Sequence, residues 1–196
     1  MAPWYPRAVI FSRRMVLAAF AAETLPVSAM PHADLTYADG MLYWPGGVAR
    51  AACGKAGVRA DKREGDHASP AGTFPLLRAF FRPDRLVLPL TALPLDPLQP
   101  SYGWVDAPAD PRYNTLVTLP YPASAERLWR DDDIYDLIVV IGYNTGPVVP
   151  GEGSAIFLHI ARPDFSGTEG CIAVARDMLV PLLGLLGPTS TITIKA

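Results

Sequence analysis

Two side chains in this sequence have the types and the spacing of a nucleophile and its base. His159 closes the apolar run Ala155-Ile156-Phe157-Leu158, and Cys171 follows Gly170 twelve positions after that histidine. The segment between them contains Pro163 and Gly167, so the chain can reverse there and bring sulfur and imidazole together. Thiol plus imidazole is the smallest unit for nucleophilic catalysis. The imidazole takes the proton, the thiolate attacks, and a neighbouring imidazolium lowers the thiol pKa. The pair is expected in an open groove, with sulfur near hydrogen-bond reach of nitrogen. Gly170 is expected to leave room for a substrate carbonyl beside the Cys171 backbone. The N–H groups there would form an oxyanion hole, a device worth roughly 3–4 kcal/mol per donor.

The remaining chemistry-bearing residues are scattered. Cys53 is expected to be a small core residue, and a Cys53–Cys171 bridge would consume the nucleophile. His32, His67 and His159 lie far apart and there is no Cys-x-x-Cys pair, so no metal site is expected. Asp61, Lys62, Arg63, Glu64 and Asp66 read as a solvated mixed-charge loop, with Arg63 suited to guide an anionic peptide. His67 is expected in solvent, and Asp131-Asp132-Asp133 in a wet turn. Tyr143 and Asn144 follow a buried strand and are candidates to line a binding site.

These residues need a scaffold, and 21 prolines among 196 residues exclude long helices over most of the chain. Short strands joined by ordered loops are expected. Leu35-Thr36-Tyr37 and Met41 to Trp44 flank Asp39-Gly40, which is a hairpin signal. Val48–Cys53, Thr73–Phe81, Tyr102–Val105 and Tyr113–Leu119 read as strands. The run Leu137-Ile138-Val139-Val140-Ile141 suits a strand buried on both faces. Ala155–Ile160 carries His159, and Thr189–Lys195 alternates as a half-exposed last strand. Ser124–Trp129 is expected to form a helical turn or two. Asp177 is expected to cap a helix from Met178 to Leu186, with Pro181 in its first turn. The Pro-rich stretch 82–122 reads as a functional rim or cap.

Half the residues are hydrophobic, so a sizeable core is possible, and a net charge of −2 argues against a nucleic-acid partner. No apolar stretch is long enough to span a membrane. Arg7, Arg13 and Arg14 precede the apolar run Met15–Ala22, and Val27-Ser28-Ala29 has the small residues of a cleavage site. Residues 1–30 are therefore a candidate export signal, with a twin-arginine character at Ser12–Leu17. The alternative is an unprocessed extension or a later start at Met30.

Gly167-Thr168-Glu169-Gly170-Cys171-Ile172, preceded by the strand-ending His159, resembles the signature of the L,D-transpeptidase family, a histidine followed by a Ser/Thr-His-Gly-Cys element. Ser69-Pro70-Ala71-Gly72-Thr73-Phe74 resembles the family's Thr-Pro-x-Gly-x-Phe element, and Asp66 lies in the loop before it. The resemblance covers residues 33–196. It implies a mainly β fold, a sandwich with one or two helices packed near the active site. It implies Cys171 as nucleophile, His159 as base, and Thr168 and Gly170 as supporting residues. Peptidoglycan stem peptides would be the substrate, with no cofactor, in a monomer of the periplasm or cell envelope. Two residues depart from the pattern. Glu169 stands where the family has histidine, and Ala173 where it has a substrate-binding arginine, leaving Arg162 or Arg176 to supply that charge. The same thiol chemistry with water as acceptor would give a carboxypeptidase or amidase. A wall-binding module with a degenerate site is the reading outside enzymology, and it predicts an unreactive thiol.

Overall fold

The computed structural model describes residues 31–196; the candidate export signal lies outside the described residues. The chain forms β1 (Leu35–Ala38), β2 (Met41–Trp44), β3 (Gly47–Ala52), β4 (Val58–Arg59), β5 (Ser69–Pro70), β6 (Gly72–Phe81) and β7 (Leu95–Pro97). There follow β8 (Tyr102–Val105), β9 (Leu116–Thr118), β10 (Ala125–Arg127), β11 (Leu137–Ile141), β12 (Phe157–Ile160), β13 (Ile172–Val174), α1 (Arg176–Leu183) and β14 (Thr191–Ile194). The described residues form a mainly β fold with one short helix. No helix of the described residues is long and apolar enough to cross a membrane.

The principal sheet runs β11-β12-β13-β3-β2-β1-β14-β6-β7, and β6 pairs with β11 as well, so the order closes on itself. Closure follows from length. The ten-residue β6 pairs with β14 through Gly72–Pro75 and with β11 through Leu76–Phe81. The Asp39-Gly40 hairpin joins β1 to β2, both turn residues taking positive φ (51° and 75°).

Alternation along the strands sorts the side chains into two cores. Leu137, Val139, Ile141, Leu158, Ile160, Ile172 and Val174 face the interior, where Leu179, Leu182 and Leu183 of α1 join them. Ile138, Val140, Phe157 and Cys171 face outward. That outer face is covered by a second sheet, β10-β8-β9, through Trp104 and by Leu98, Leu128 and Tyr135. The Pro-rich stretch is thus the cap expected of it. It makes β11 apolar at all five positions, because both of its faces are buried.

Three local expectations need correction. Residues 125–127 extend as β10 and pair with β8 rather than forming a helical turn, since pairing satisfies their backbone. The helix begins at Arg176 with Ala175 at its N-cap and no side-chain cap, so Asp177 lies inside its first turn and Pro181 in its interior. The helix packs against β12, the strand that carries His159, and buries its apolar side in the inner core.

Candidate active site

His159 and Cys171 reach one cavity because of strand register. β12 and β13 are parallel neighbours, with Leu158 opposite Ile172 and His159 opposite Ala173. Phe157 therefore stands beside Cys171, and His159 is its diagonal neighbour on the same face. The side chains line a cavity of about 330 Å³. The site is less open than expected: Cys171 is only 6% exposed and His159 only 4%.

In this resting arrangement the sulfur is hydrogen-bonded to backbone. The Phe157 N–H donates to Sγ at 3.3 Å, and the thiol donates to the Ala155 carbonyl at 3.2 Å. That carbonyl is turned toward the thiol by Ala155 itself, which holds φ at 53° with its N–H donated to Asn114 Oδ1. Few non-glycine residues accept such a φ. His159 Nδ1 donates to the Ile160 carbonyl at 2.9 Å, which fixes the tautomer and leaves the lone pair on Nε2. The ring meets Tyr135 edge-on, with centroids 5.2 Å apart.

The electrostatics correct a second expectation. Burial lowers His159 to about 4, with Arg162 and Arg130 adding to the effect and the Ile160 bond opposing it. Burial, and next the charge of Glu126, push the Cys171 thiol up to about 12; the Phe157 N–H, Lys62 and Tyr135 oppose this. The resting pair is neutral thiol and neutral imidazole, not a thiolate lowered by imidazolium. Each group resists charging alone in apolar surroundings. No hydrogen bond joins Sγ to the imidazole among the described residues, the sulfur being held by Phe157 and Ala155 instead. Moving the proton from sulfur to Nε2 creates both charges together, so that each offsets part of the other's cost.

The loop before Cys171 is a braced turn. Gly170 N–H donates to Thr168 Oγ1, and the Thr168 hydroxyl donates to the Cys171 carbonyl at 2.7 Å. From the Ser-Pro-Ala-Gly-Thr-Phe element, the buried Ser69 hydroxyl donates to the Gly170 carbonyl at 2.7 Å and accepts from the Gly54 N–H at 2.9 Å. The Gly170 N–H is engaged and is not an oxyanion donor. Nor does Gly170 make room for substrate. At φ 139°, a Cβ there would meet the Ala68 carbonyl at 2.9 Å. Ser69→Ala strands a buried N–H and a carbonyl, and is expected to cost about 2 kcal/mol. An unchanged urea midpoint would show that water replaces the hydroxyl.

Several lining residues carried no sequence signal of a site. Burial raises the Glu126 carboxyl above its ordinary range, and Tyr135 donates to its Oε1 at 2.7 Å. Asp106 has one buried carboxylate oxygen without a partner among the described residues. Glu64 accepts from Ser154 and Tyr113. Arg130 also lines the wall. Glu64 belongs to the charged loop just before the Ser-Pro-Ala-Gly-Thr-Phe element, whereas Asp106, Glu126, Arg130 and Tyr135 come from loops and from β10, distant in sequence from both motifs, so only the fold gathers them. Of the expected binding residues, Arg162 lines the cavity. Tyr143 and Asn144 do not. The Tyr143 hydroxyl donates to the Glu152 carbonyl, and Asn144 closes its own turn onto Val149 and Gly153.

A family model described as the L,D-transpeptidase catalytic domain matches residues 33–194. The chain belongs to the L,D-transpeptidase catalytic-domain family. Searches of curated proteins and of solved structures each give no match. Membership assigns L,D-transpeptidase-type catalysis on peptidoglycan at the level of the family. In this L,D-transpeptidase domain the two departures from the family pattern have physical reasons. Glu169 makes no bond to His159; its carboxylate is held by Lys55 and His67, the Lys55 bond keeping it below its ordinary pKa. Ala173 is 1% exposed and packs with Ala52 and Ala161, so no arginine fits there. Arg176 does not replace it, being paired with the buried Asp136.

Proposed function

We propose that this domain is a cysteine-dependent acyl transferase acting on peptidoglycan stem peptides, with Cys171 as nucleophile and His159 as base. The carrying observation is the diagonal placement of the two side chains in one cavity, with the His159 tautomer set by Ile160 so that Nε2 can accept a proton.

In the first half-reaction the thiol proton passes to His159 Nε2 as sulfur attacks the donor carbonyl. A C–S bond forms and the carbonyl π pair moves to oxygen. The tetrahedral adduct collapses, the C–N bond breaks, and His159 returns the proton to the departing amine. An acyl group remains on Cys171. In the second half an acceptor amine gives its proton to His159, attacks the thioester and releases the thiol. The acidic wall of Glu64, Asp106, Glu126 and Glu169 suits an amino acceptor, and Arg130 and Arg162 suit a substrate carboxylate. All of these residues belong to one chain, so one copy suffices for the reaction. Such a substrate places the domain in the cell envelope, reached through the arginine-flanked run in residues 1–30.

The test is incubation with a stem tetrapeptide and a diamino acceptor, with products weighed by mass spectrometry. Transfer gives donor acyl group joined to acceptor with loss of the terminal residue. Release of that residue without joining would replace transfer by hydrolysis. Recovery of unreacted peptide from active-site-competent protein would overturn the proposal.

A further inference from the structure

Lys62 is a buried cation outside the nucleophile–base pair. The sequence places it in a charged loop, but the residue is only 4% exposed. Its Nζ donates to Asp66 Oδ1 at 2.8 Å and to the Arg63 carbonyl at 3.2 Å. Its stem runs against two glycines of positive φ. A Cβ on Gly153 (φ 115°) would meet Lys62 Cε at 3.0 Å, and a Cβ on Gly170 (φ 139°) would lie 3.5 Å from Nζ. The missing side chains form a slot that delivers the ammonium behind the peptide preceding Cys171. Two β-carbons would close it.

Holding the loop together does not require this lysine. Asp66 already accepts the Arg63 N–H at 2.7 Å and the Ala68 N–H at 2.9 Å, which close the turn. A lysine desolvated this fully is costly, and an apolar side chain would fill the slot at lower cost. Charge next to the nucleophile is what the lysine adds. Among groups facing Cys171, Glu126 of β10 disfavours a negative sulfur. Lys62, the Phe157 N–H and the Tyr135 hydroxyl favour it. His159, Arg130, Arg162, Glu64, Asp106 and Glu169 complete the charged and titratable wall.

We propose that Lys62 is an electrostatic positioning residue for Cys171, its ammonium held behind Gly170 to stabilise the negative charge that develops on the sulfur as the proton leaves for His159. Lys62 exchanges no proton; it is the fixed countercharge for a thiolate that exists only along the reaction path. The inference rests on the proposed role of Cys171 but is tested without turnover.

The experiment measures alkylation of Cys171 by iodoacetamide against pH, in full-length protein carrying Cys53→Ala, alongside kcat, KM and urea midpoints. Lys62→Met keeps the stem and removes the charge. It is expected to slow alkylation at a fixed pH about 10- to 100-fold, as loss of a nearby opposite charge does, and to lower kcat similarly with little change in KM. Asp66→Asn removes the carboxylate that offsets Lys62. It is expected to lower the urea midpoint yet speed alkylation about two- to tenfold. Lys62→Met with Asp66→Asn, which buries no lone charge, is expected to be as slow as Lys62→Met. A purely structural lysine makes the opposite forecast: Asp66→Asn slows alkylation, or leaves it unchanged, and that result alone overturns the proposal even if Lys62→Met fails to fold. Alkylation in the expected order without acyl transfer would instead retire the transferase reading and leave the electrostatic one standing.

Discussion

Cys171→Ala is expected to abolish covalent acylation by a carbapenem-type β-lactam and to lower acyl transfer by at least about a thousandfold. In the wild type the sulfur opens the lactam ring. A C–S bond forms, the ring C–N bond breaks, and the nitrogen takes the proton that His159 carried. The protein mass rises by one intact inhibitor. Cys53 is an internal control, because it is only partly buried and its thiol contacts the Gly54 carbonyl rather than an imidazole. Removing the Cys171 sulfur leaves the Phe157 N–H without its acceptor, which costs about 1–3 kcal/mol. Cys171→Ser is the matched control. Its hydroxyl keeps the bonds to Phe157 and Ala155 but is a far weaker nucleophile, so fold and activity separate. Equal labelling of wild type and Cys171→Ala would end the case for this nucleophile and favour a wall-binding module.

His159→Gln is expected to lower kcat about 10²- to 10⁴-fold while leaving slow acylation of Cys171 detectable. With the base gone, the thiol must ionise unaided from about 12, so the residual rate should climb steeply with pH instead of holding a plateau. Wild-type kcat/KM should stay level through neutrality and fall only as pH drops toward about 4, where the imidazole is protonated and cannot accept. A limb near 6.5 would mean that the ring is solvated. The same lowered pKa acts on stability. In the unfolded chain the imidazole titrates near 6.5, whereas in the fold it stays neutral to about 4. Between those values the unfolded state binds a proton that the native state does not, so stability falls as pH falls, by about 3 kcal/mol once both have titrated. His159→Gln should lack that loss. Urea midpoints at pH 7 and pH 4 for both proteins measure it.

The residues themselves carried a good share of the architecture. Asp39-Gly40 specified its hairpin because both positions need positive φ, and the unbroken apolar run at 137–141 specified a strand buried on both sides. These signals are local, arising from backbone sterics and side-chain alternation. The misread 125–127 segment carries no such signal. Its strand is created by pairing with β8, some twenty residues earlier in the chain.

The candidate site divides in the same way. Sequence alone determined the family, a thiol and an imidazole twelve residues apart at the ends of short motifs, and a mainly β scaffold for them. The tertiary structure decided the state and surroundings of that pair. Burial under the Trp104-bearing cap sheet keeps both groups neutral, and the cavity wall is drawn from Glu64, Asp106, Glu126 and Tyr135. Lys62 left the solvated loop expected of it because Gly153 and Gly170 open a slot beside the nucleophile. Motifs report what neighbouring residues share along the chain. Desolvation and charge depend on what distant segments bring within a few ångströms, and no spacing in the sequence encodes that distance.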